Sequence, residues 1–241
     1  MRIIGHRGAR GEAPENTLGG FQYIADLGIR AVEFDVRQLK DQQLIIMHDD
    51  NFVRTTNINQ PLYECSSADL AIYNHAVHWA EWQQHEPTPL LQQSLDLMQD
   101  FEHLEVEVKA VSSEDEAEKI VESLEQQLNG FEHSAIITSF DPKIHQALQR
   151  NNSRFKRGLL IEEKTDTRII DQALQLGCCQ IGWMDELATP ELIQATQSAH
   201  LKLSVWTVNN IERAKQLRDF GVEGLITDFP KRMQHALNQA K

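Results

Sequence analysis

The chain has 241 residues, 41% of them hydrophobic, with 36 acidic side chains against 23 lysines and arginines and a net charge of −13. That length suits one large domain over residues 1–241, and an α/β barrel of this size is ordinary. The acidic balance argues against nucleic acid or an anionic membrane surface as a bulk partner, since both require basic patches.

No apolar run reaches the roughly 18 residues of a spanning helix, so stable membrane insertion is not expected. An apolar strand pattern begins at Ile3, which leaves no room for a signal peptide ahead of it. The three cysteines include the adjacent pair Cys178-Cys179 and form neither a disulfide framework nor a zinc spacing, so a reducing cytoplasm is the expected address.

In chain order, strand-like runs fall at Arg2–Gly5, Ala31–Val36, Leu104–Lys109, Ala135–Ser139, Arg157–Ile161, Cys179–Trp183, Leu203–Val208 and Gly224–Thr227. Between most of them lie amphipathic segments at Thr17–Leu27, Glu114–Leu128, Pro142–Gln149, Ile169–Leu176, Pro190–Ala199 and Ile211–Phe220, and Arg232–Lys241 reads as a last helix. Gly28, Gly177 and Gly221 mark helix ends. Eight strands alternating with helices imply an α/β fold whose parallel sheet closes into a (β/α)8 TIM barrel; an open doubly wound sheet would not need so regular a count. There is no glycine-rich dinucleotide or P-loop fingerprint.

One strand-like run, Leu44–His48, is left over. Only Lys40-Asp41-Gln42-Gln43 separate it from the second strand, too few residues for a helical crossover, so it must return antiparallel as a hairpin above the barrel mouth. With Asp41-Gln42 as a two-residue turn, Asp35 faces His48 and Lys40 faces Gln43; a longer loop shifts the pairing by a residue or two without moving His48 far. Gln42 sits where such turns prefer Gly. Residues 51–89 then form an excursion with Trp79, Trp82, His75, His78 and His85, long enough to be a lid or a binding element, or a surface excursion anchored by its aromatics.

Residues two apart in a strand share a face, so Glu33 and Asp35 point together, as do Glu105, Glu107 and Lys109. Barrel interiors normally hold branched apolar side chains, and inward carboxylates left unpaired are costly. A divalent cation resolves this, and an all-oxygen donor set favours Mg²⁺ or Ca²⁺ over zinc; the alternative is a cluster ion-paired to Lys109 and Arg7 without metal. His6 and His48 reach the same mouth and suit proton transfer near neutral pH, one accepting while the other donates. Arg7 has the planar fork that grips a phosphate. Asn16 or Thr17 is expected to cap the first helix, whose N-terminus can also hold anionic groups or order the ligands, and Trp206 is expected either as an apolar pocket wall or as core.

Taken together, His6-Arg7-Gly8-Ala9, Pro14-Glu15-Asn16-Thr17, Glu33-Phe34-Asp35-Val36, His48-Asp49, Glu107-Val108-Lys109, Ser139-Phe140-Asp141-Pro142, Val205-Trp206-Thr207-Val208-Asn209 and Ile226-Thr227-Asp228-Phe229-Pro230 resemble the glycerophosphodiester phosphodiesterases of cytoplasmic bacterial type. The motifs run in order over nearly the whole chain. The resemblance implies metal-dependent hydrolysis of a small glycerophosphodiester to sn-glycerol 3-phosphate and an alcohol. It implies His6 and His48 as the acid–base pair, Glu33, Asp35 and Glu107 as ligands of Mg²⁺ or Ca²⁺, Arg7, Glu15 and Lys109 near the phosphate or metal, and Trp206 on the glycerol side. It further implies attack by the substrate's own neighbouring hydroxyl, giving a cyclic phosphate that water then opens.

The chain departs from the family at Gln42, where Gly is frequent, at Ile58-Asn59-Gln60, where glycines are usual, and at Pro87-Thr88-Pro89-Leu90, which carries an additional proline. These lie in the hairpin turn and the excursion, where they bear on substrate breadth rather than on the catalytic core. Two other readings stand beside the leading one: a lysophospholipase D acting through the same site, and a catalytically silent barrel.

Overall fold

The computed structural model describes residues 1–238. Among these residues nine strands form one sheet: β1 (Arg2–His6), β2 (Ala31–Gln38), β3 (Leu44–Ile46), β4 (His103–Val108), β5 (Ala135–Ser139), β6 (Lys156–Ile161), β7 (Gln180–Met184), β8 (Lys202–Trp206) and β9 (Gly224–Thr227). Eight of these pair in parallel from β1 through β9 down to β4 and β2, and β1 pairs again with β2, so the barrel closes. Helices return the chain between strands: α1 (Leu18–Asp26), the short α2 (Val53–Thr56), α3 (Leu91–Leu97), α4 (Glu114–Gln127), α5 (Pro142–Arg150), α6 (Arg168–Gln175), α7 (Pro190–Ser198), α8 (Ile211–Asp219) and α9 (Pro230–Asn238). The expected last helix is α9; its residues 239–241 lie outside the described residues. No described helix is long and apolar enough to cross a membrane.

Most of the core lies between the strands and the helices, and a smaller cluster of Ile4, Ala31 and Ile226 fills part of the barrel interior. Val32, Phe34 and Val36 of β2 point outward and pack with Phe21 and Ile24 of α1 and Leu91 and Leu95 of α3. On the far side, Ile181 and Trp183 of β7 and Leu203 and Val205 of β8 meet Leu192 and Ile193 of α7 and Ala214 and Leu217 of α8. With these outward positions taken by apolar residues, the alternate positions point into the barrel. In barrels of this architecture active sites are generally built at the strands' C-terminal ends.

The hairpin forms as expected, but its register is shifted by one residue. β3 is antiparallel to β2 with Val36 opposite Ile46 and Gln38 opposite Leu44, and Met47 N donates to Asp35 O at 2.9 Å. Asp35 therefore does not face His48. The loop has three residues, Lys40-Asp41-Gln42, closed by Leu39 N to Gln43 O and Gln42 N to Leu39 O, both 2.9 Å. A three-residue hairpin of this kind ends in a left-handed residue, and Gln42 takes that conformation with φ 67°.

The excursion carries its own small core. Phe52 stacks on Tyr73 with ring centroids 3.8 Å apart, and Leu39, Ile45, Met47, Leu62, Cys65 and Leu70 pack around them. His75 is buried there, its ring nitrogens 2.8 and 2.7 Å from the hydroxyls of Thr55 and Thr88.

Candidate active site

Register alone brings the inward side chains together. His6 lies beside Glu33, Glu33 beside Glu105, Asp35 beside Glu107, and Glu107 beside Thr138. A cavity of about 90 Å³ opens at this end of the barrel, lined among others by His6, Arg7, Glu33, His48, Glu107, Lys109, Phe140 and Trp206. No residue of 51–89 is among those lining it.

Glu33, Asp35 and Glu107 are buried and can bring one carboxylate oxygen each within 4.8 Å of the others. Three anions so close in a desolvated place cannot all keep their ordinary acidity. Burial, then the charges of Asp35 and Glu107, push Glu33 well above the usual carboxylate range. Burial and Asp35 raise Glu107 to about 7, although Lys109 opposes them. Asp35 goes the other way: Lys109 and Arg7 outweigh its burial and hold it far below the usual range. Lys109 Nζ bridges Asp35 and Glu107, and Arg7 Nε sits 3.3 Å from Asp35 Oδ2. These cations leave the cluster incompletely matched, since Glu33 Oε1 is buried with no hydrogen-bond partner. A hard divalent cation fits such an all-oxygen set.

Glu105 shares the inward face but turns away from the triad. Its carboxylate meets His103 Nε2 at 3.1 Å and accepts from Ser204 Oγ at 3.2 Å. Asn16 does not cap α1: Thr17 does, accepting from Gly20 N at 3.0 Å, while Asn16 Nδ2 donates to Asp35 Oδ2 at 2.7 Å. The loop from β1 into α1 is shaped for this. Arg7 has φ 50°, and its N–H donates to Glu33 Oε2 at 3.1 Å. Gly5 must be glycine because a Cβ there would lie 1.9 Å from the carbonyl oxygen of Gly8.

Each candidate histidine rests on a carboxylate that the strand-by-strand reading left unassigned. His6 Nδ1 is 2.6 Å from Asp228 Oδ1, and His48 Nδ1 is 2.8 Å from Asp49 Oδ1. An ionised carboxylate only accepts, so Nδ1 carries a proton in both rings and Nε2 is the atom left to exchange one, accepting in a neutral ring and donating in a protonated one. Asp228 is itself fixed by Asn209, whose Nδ2 donates to Oδ2 at 2.7 Å. Burial lowers the pKa of His6 despite the opposing hydrogen bond to Asp228, which favours the neutral ring. The signal for Asp228 was present in the sequence, as a carboxylate one residue beyond the last strand-like run; what was missing was its pairing with a residue 222 positions away.

Glu15 lies among cations. Arg7 Nη1 donates to its Oε1 at 2.9 Å, and Arg54 donates to both of its oxygens, at 2.7 and 2.8 Å. Desolvation raises its pKa, but the Arg54 hydrogen bonds and the Arg7 charge outweigh that and hold it at about 2. Trp206 forms a wall of the cavity, with its ring edge-to-face on Phe140 at 5.5 Å and Nε1 donating to Gly182 O at 3.1 Å.

Known proteins resemble the chain along nearly its whole length. A glycerophosphodiester phosphodiesterase of Caldanaerobacter subterraneus subsp. tengcongensis is 27% identical over 235 residues, which cover 95% of this chain and 94% of its own. A second, from Bacillus subtilis, is 28% identical over 94% of this chain and 83% of its own. The solved structure of an Oleispira antarctica phosphodiesterase in complex with the product sn-glycerol-3-phosphate shares the fold, with a TM-score of 0.88 at 23% identity over 99% of this chain and 97% of that one. The model of the glycerophosphoryl diester phosphodiesterase family matches residues 6–232, and the chain belongs to that family.

Proposed function

We propose that this enzyme hydrolyses small glycerophosphodiesters to sn-glycerol 3-phosphate and an alcohol, with His6 and His48 as the acid–base pair. The observation that carries the reading is that both histidines line one cavity with Glu33, Glu107, Arg7 and Lys109. The cavity is well below the roughly 300–1,000 Å³ of a drug-sized ligand site. It suits a phosphoryl group flanked by small polar groups better than an enclosed acyl chain, which favours glycerophosphodiesters over lysophospholipids.

Glu33, Asp35 and Glu107 would hold Mg²⁺ or Ca²⁺. Bound there, the ion would absorb charge that builds on the phosphoryl oxygens. Arg7 approaches the same region and offers its guanidinium to a phosphoryl oxygen, and Lys109 adds a second positive charge. His6, kept neutral by burial, accepts the proton of the substrate hydroxyl next to the phosphate. That oxygen attacks phosphorus, an internal reaction that gains from proximity on the order of 10⁵ M or more in effective concentration. His48 gives a proton to the departing alcohol oxygen as its bond to phosphorus breaks. Water then opens the cyclic phosphate with the two histidines in exchanged roles. Trp206 and Phe140 pack against the glycerol carbons. The free thiols of Cys65, Cys178 and Cys179 fit the cytoplasmic address that belongs to the same proposal.

The test is release of glycerol 3-phosphate from glycerophosphocholine and glycerophosphoethanolamine, after chelation and again with Mg²⁺ or Ca²⁺ restored. Metal-dependent release from both substrates, lost in His6→Ala and in His48→Ala with the fold intact, is expected. Near-normal turnover in either variant would sink the mechanism. Release only from a lysophospholipid would replace the substrate.

A further inference from the structure

We propose that Arg54, which lies outside the cavity on the excursion, is a positioning residue for both ends of the site: it holds His48 through Asp49 and Arg7 through Glu15. The proposal rests on the acid–base roles given above.

The geometry is a single guanidinium shared between two carboxylates from different parts of the chain. Arg54 Nε donates to Asp49 Oδ2 at 2.6 Å, while Nη1 and Nη2 donate to Glu15 Oε2 and Oε1 at 2.8 and 2.7 Å. The other oxygen of Asp49 meets His48 Nδ1 at 2.8 Å. Glu15 Oε1 also accepts from Arg7 Nη1 at 2.9 Å, and Arg7 in turn faces Asp35. One side chain thus braces the ring that moves a proton and the cation that faces the phosphate.

Most surface ion pairs do little, contributing about 0–1 kcal/mol. This one differs in two respects. It is bidentate on Glu15, whose side chain is only 12% exposed, and the root of Arg54 is fixed by its neighbours. Thr55 bonds to the buried His75, Thr56 Oγ1 donates to Phe52 O at 2.8 Å, and Phe52 stacks on Tyr73. The excursion therefore serves the site through Arg54 although it lines none of the cavity. Lysine can replace it only in part, because a single ammonium lacks the fork that reaches both carboxylates together.

The experiment is steady-state kinetics of Arg54→Ala and Arg54→Lys on glycerophosphocholine with metal present, beside Asp49→Asn, Glu15→Gln and the double variants. A misplacement of about 1 Å costs on the order of 10²-fold, so Arg54→Ala is expected to lower kcat by 10- to 100-fold and to raise KM through Arg7, with Arg54→Lys between it and wild type. The kcat loss of Arg54→Ala with Asp49→Asn should be no greater than that of the worse single variant. The KM change should likewise fail to add with Glu15→Gln. Because the Arg54 side chain is 41% exposed, millimolar guanidinium should restore part of the activity of Arg54→Ala where sodium chloride at equal ionic strength does not. Additive losses, or wild-type kcat and KM in Arg54→Ala while His48→Ala is inactive, would overturn the proposal and leave the acid–base reading intact. An active His48→Ala would instead remove that reading, and this proposal with it.

Discussion

If Glu33, Asp35 and Glu107 bind a divalent cation, binding must displace protons, because burial and the charge of Asp35 push Glu33 and Glu107 upward. With Glu107 at about 7, roughly nine in ten copies are protonated at pH 6 and one in ten at pH 8. The cation needs the ionised form, so affinity should weaken about tenfold from pH 8 to pH 6 through Glu107 alone, or about 1.4 kcal/mol, and more steeply with Glu33 included. Isothermal titration with Mg²⁺ or Ca²⁺ in buffers of different ionisation enthalpy measures this directly. Close to one proton from Glu107 should be released at pH 6, with a further contribution from Glu33. Glu107→Gln should weaken binding and remove the tenfold share of the pH dependence. At a cation concentration of 100 Kd the folded state gains about 2.7 kcal/mol, which in a chain of this size raises the melting temperature by about 5–10 °C. Equal affinity at pH 6 and pH 8 with no proton release would refute the carboxylate argument.

Three other outcomes follow from the geometry. Asp228→Asn replaces the ionised partner of His6 Nδ1 with an amide that can bind either tautomer; kcat should fall by about 10²- to 10⁴-fold with little change in melting temperature, and a loss under tenfold would count against the dyad. Gln42→Gly removes a left-handed, non-glycine residue from the hairpin loop and should stabilise by up to about 1 kcal/mol in urea unfolding; destabilisation would mean that the Gln42 side chain matters. The buried ring of His145 is held at about 4 by desolvation, against about 6.5 in the unfolded chain, so its contribution is present above pH 6.5 and is lost as pH falls toward 4. The loss is about 3 kcal/mol at most, and His145→Gln should flatten the stability profile in that window; an unchanged slope would refute the assignment.

Period-two patterning was enough to aim the side chains of Glu33, Asp35, Glu105 and Glu107 inward, because an alternation of two has only two faces and the apolar one must meet the helices. The eightfold alternation of strand and helix likewise determined the barrel, and with it the end at which His6, His48 and the carboxylates would gather. The chain order could not say which inward carboxylates share one place. Glu105 faces His103 and Ser204 instead of the triad, and that depends on neighbours brought in by β8. Nor could it set the hairpin register, which turned on whether Gln42 would accept a left-handed backbone. The partners of the two histidines and of Glu15 were the least legible part. Asp228 meets His6 only because the first and last barrel strands close on each other, and Arg54 reaches Glu15 only because the excursion packs back against the segment that leads from β1 into α1. Local pattern decides which way a side chain points, since that is a property of the strand itself. Which group it finds there is a property of closure, set by contacts between residues that the sequence keeps far apart.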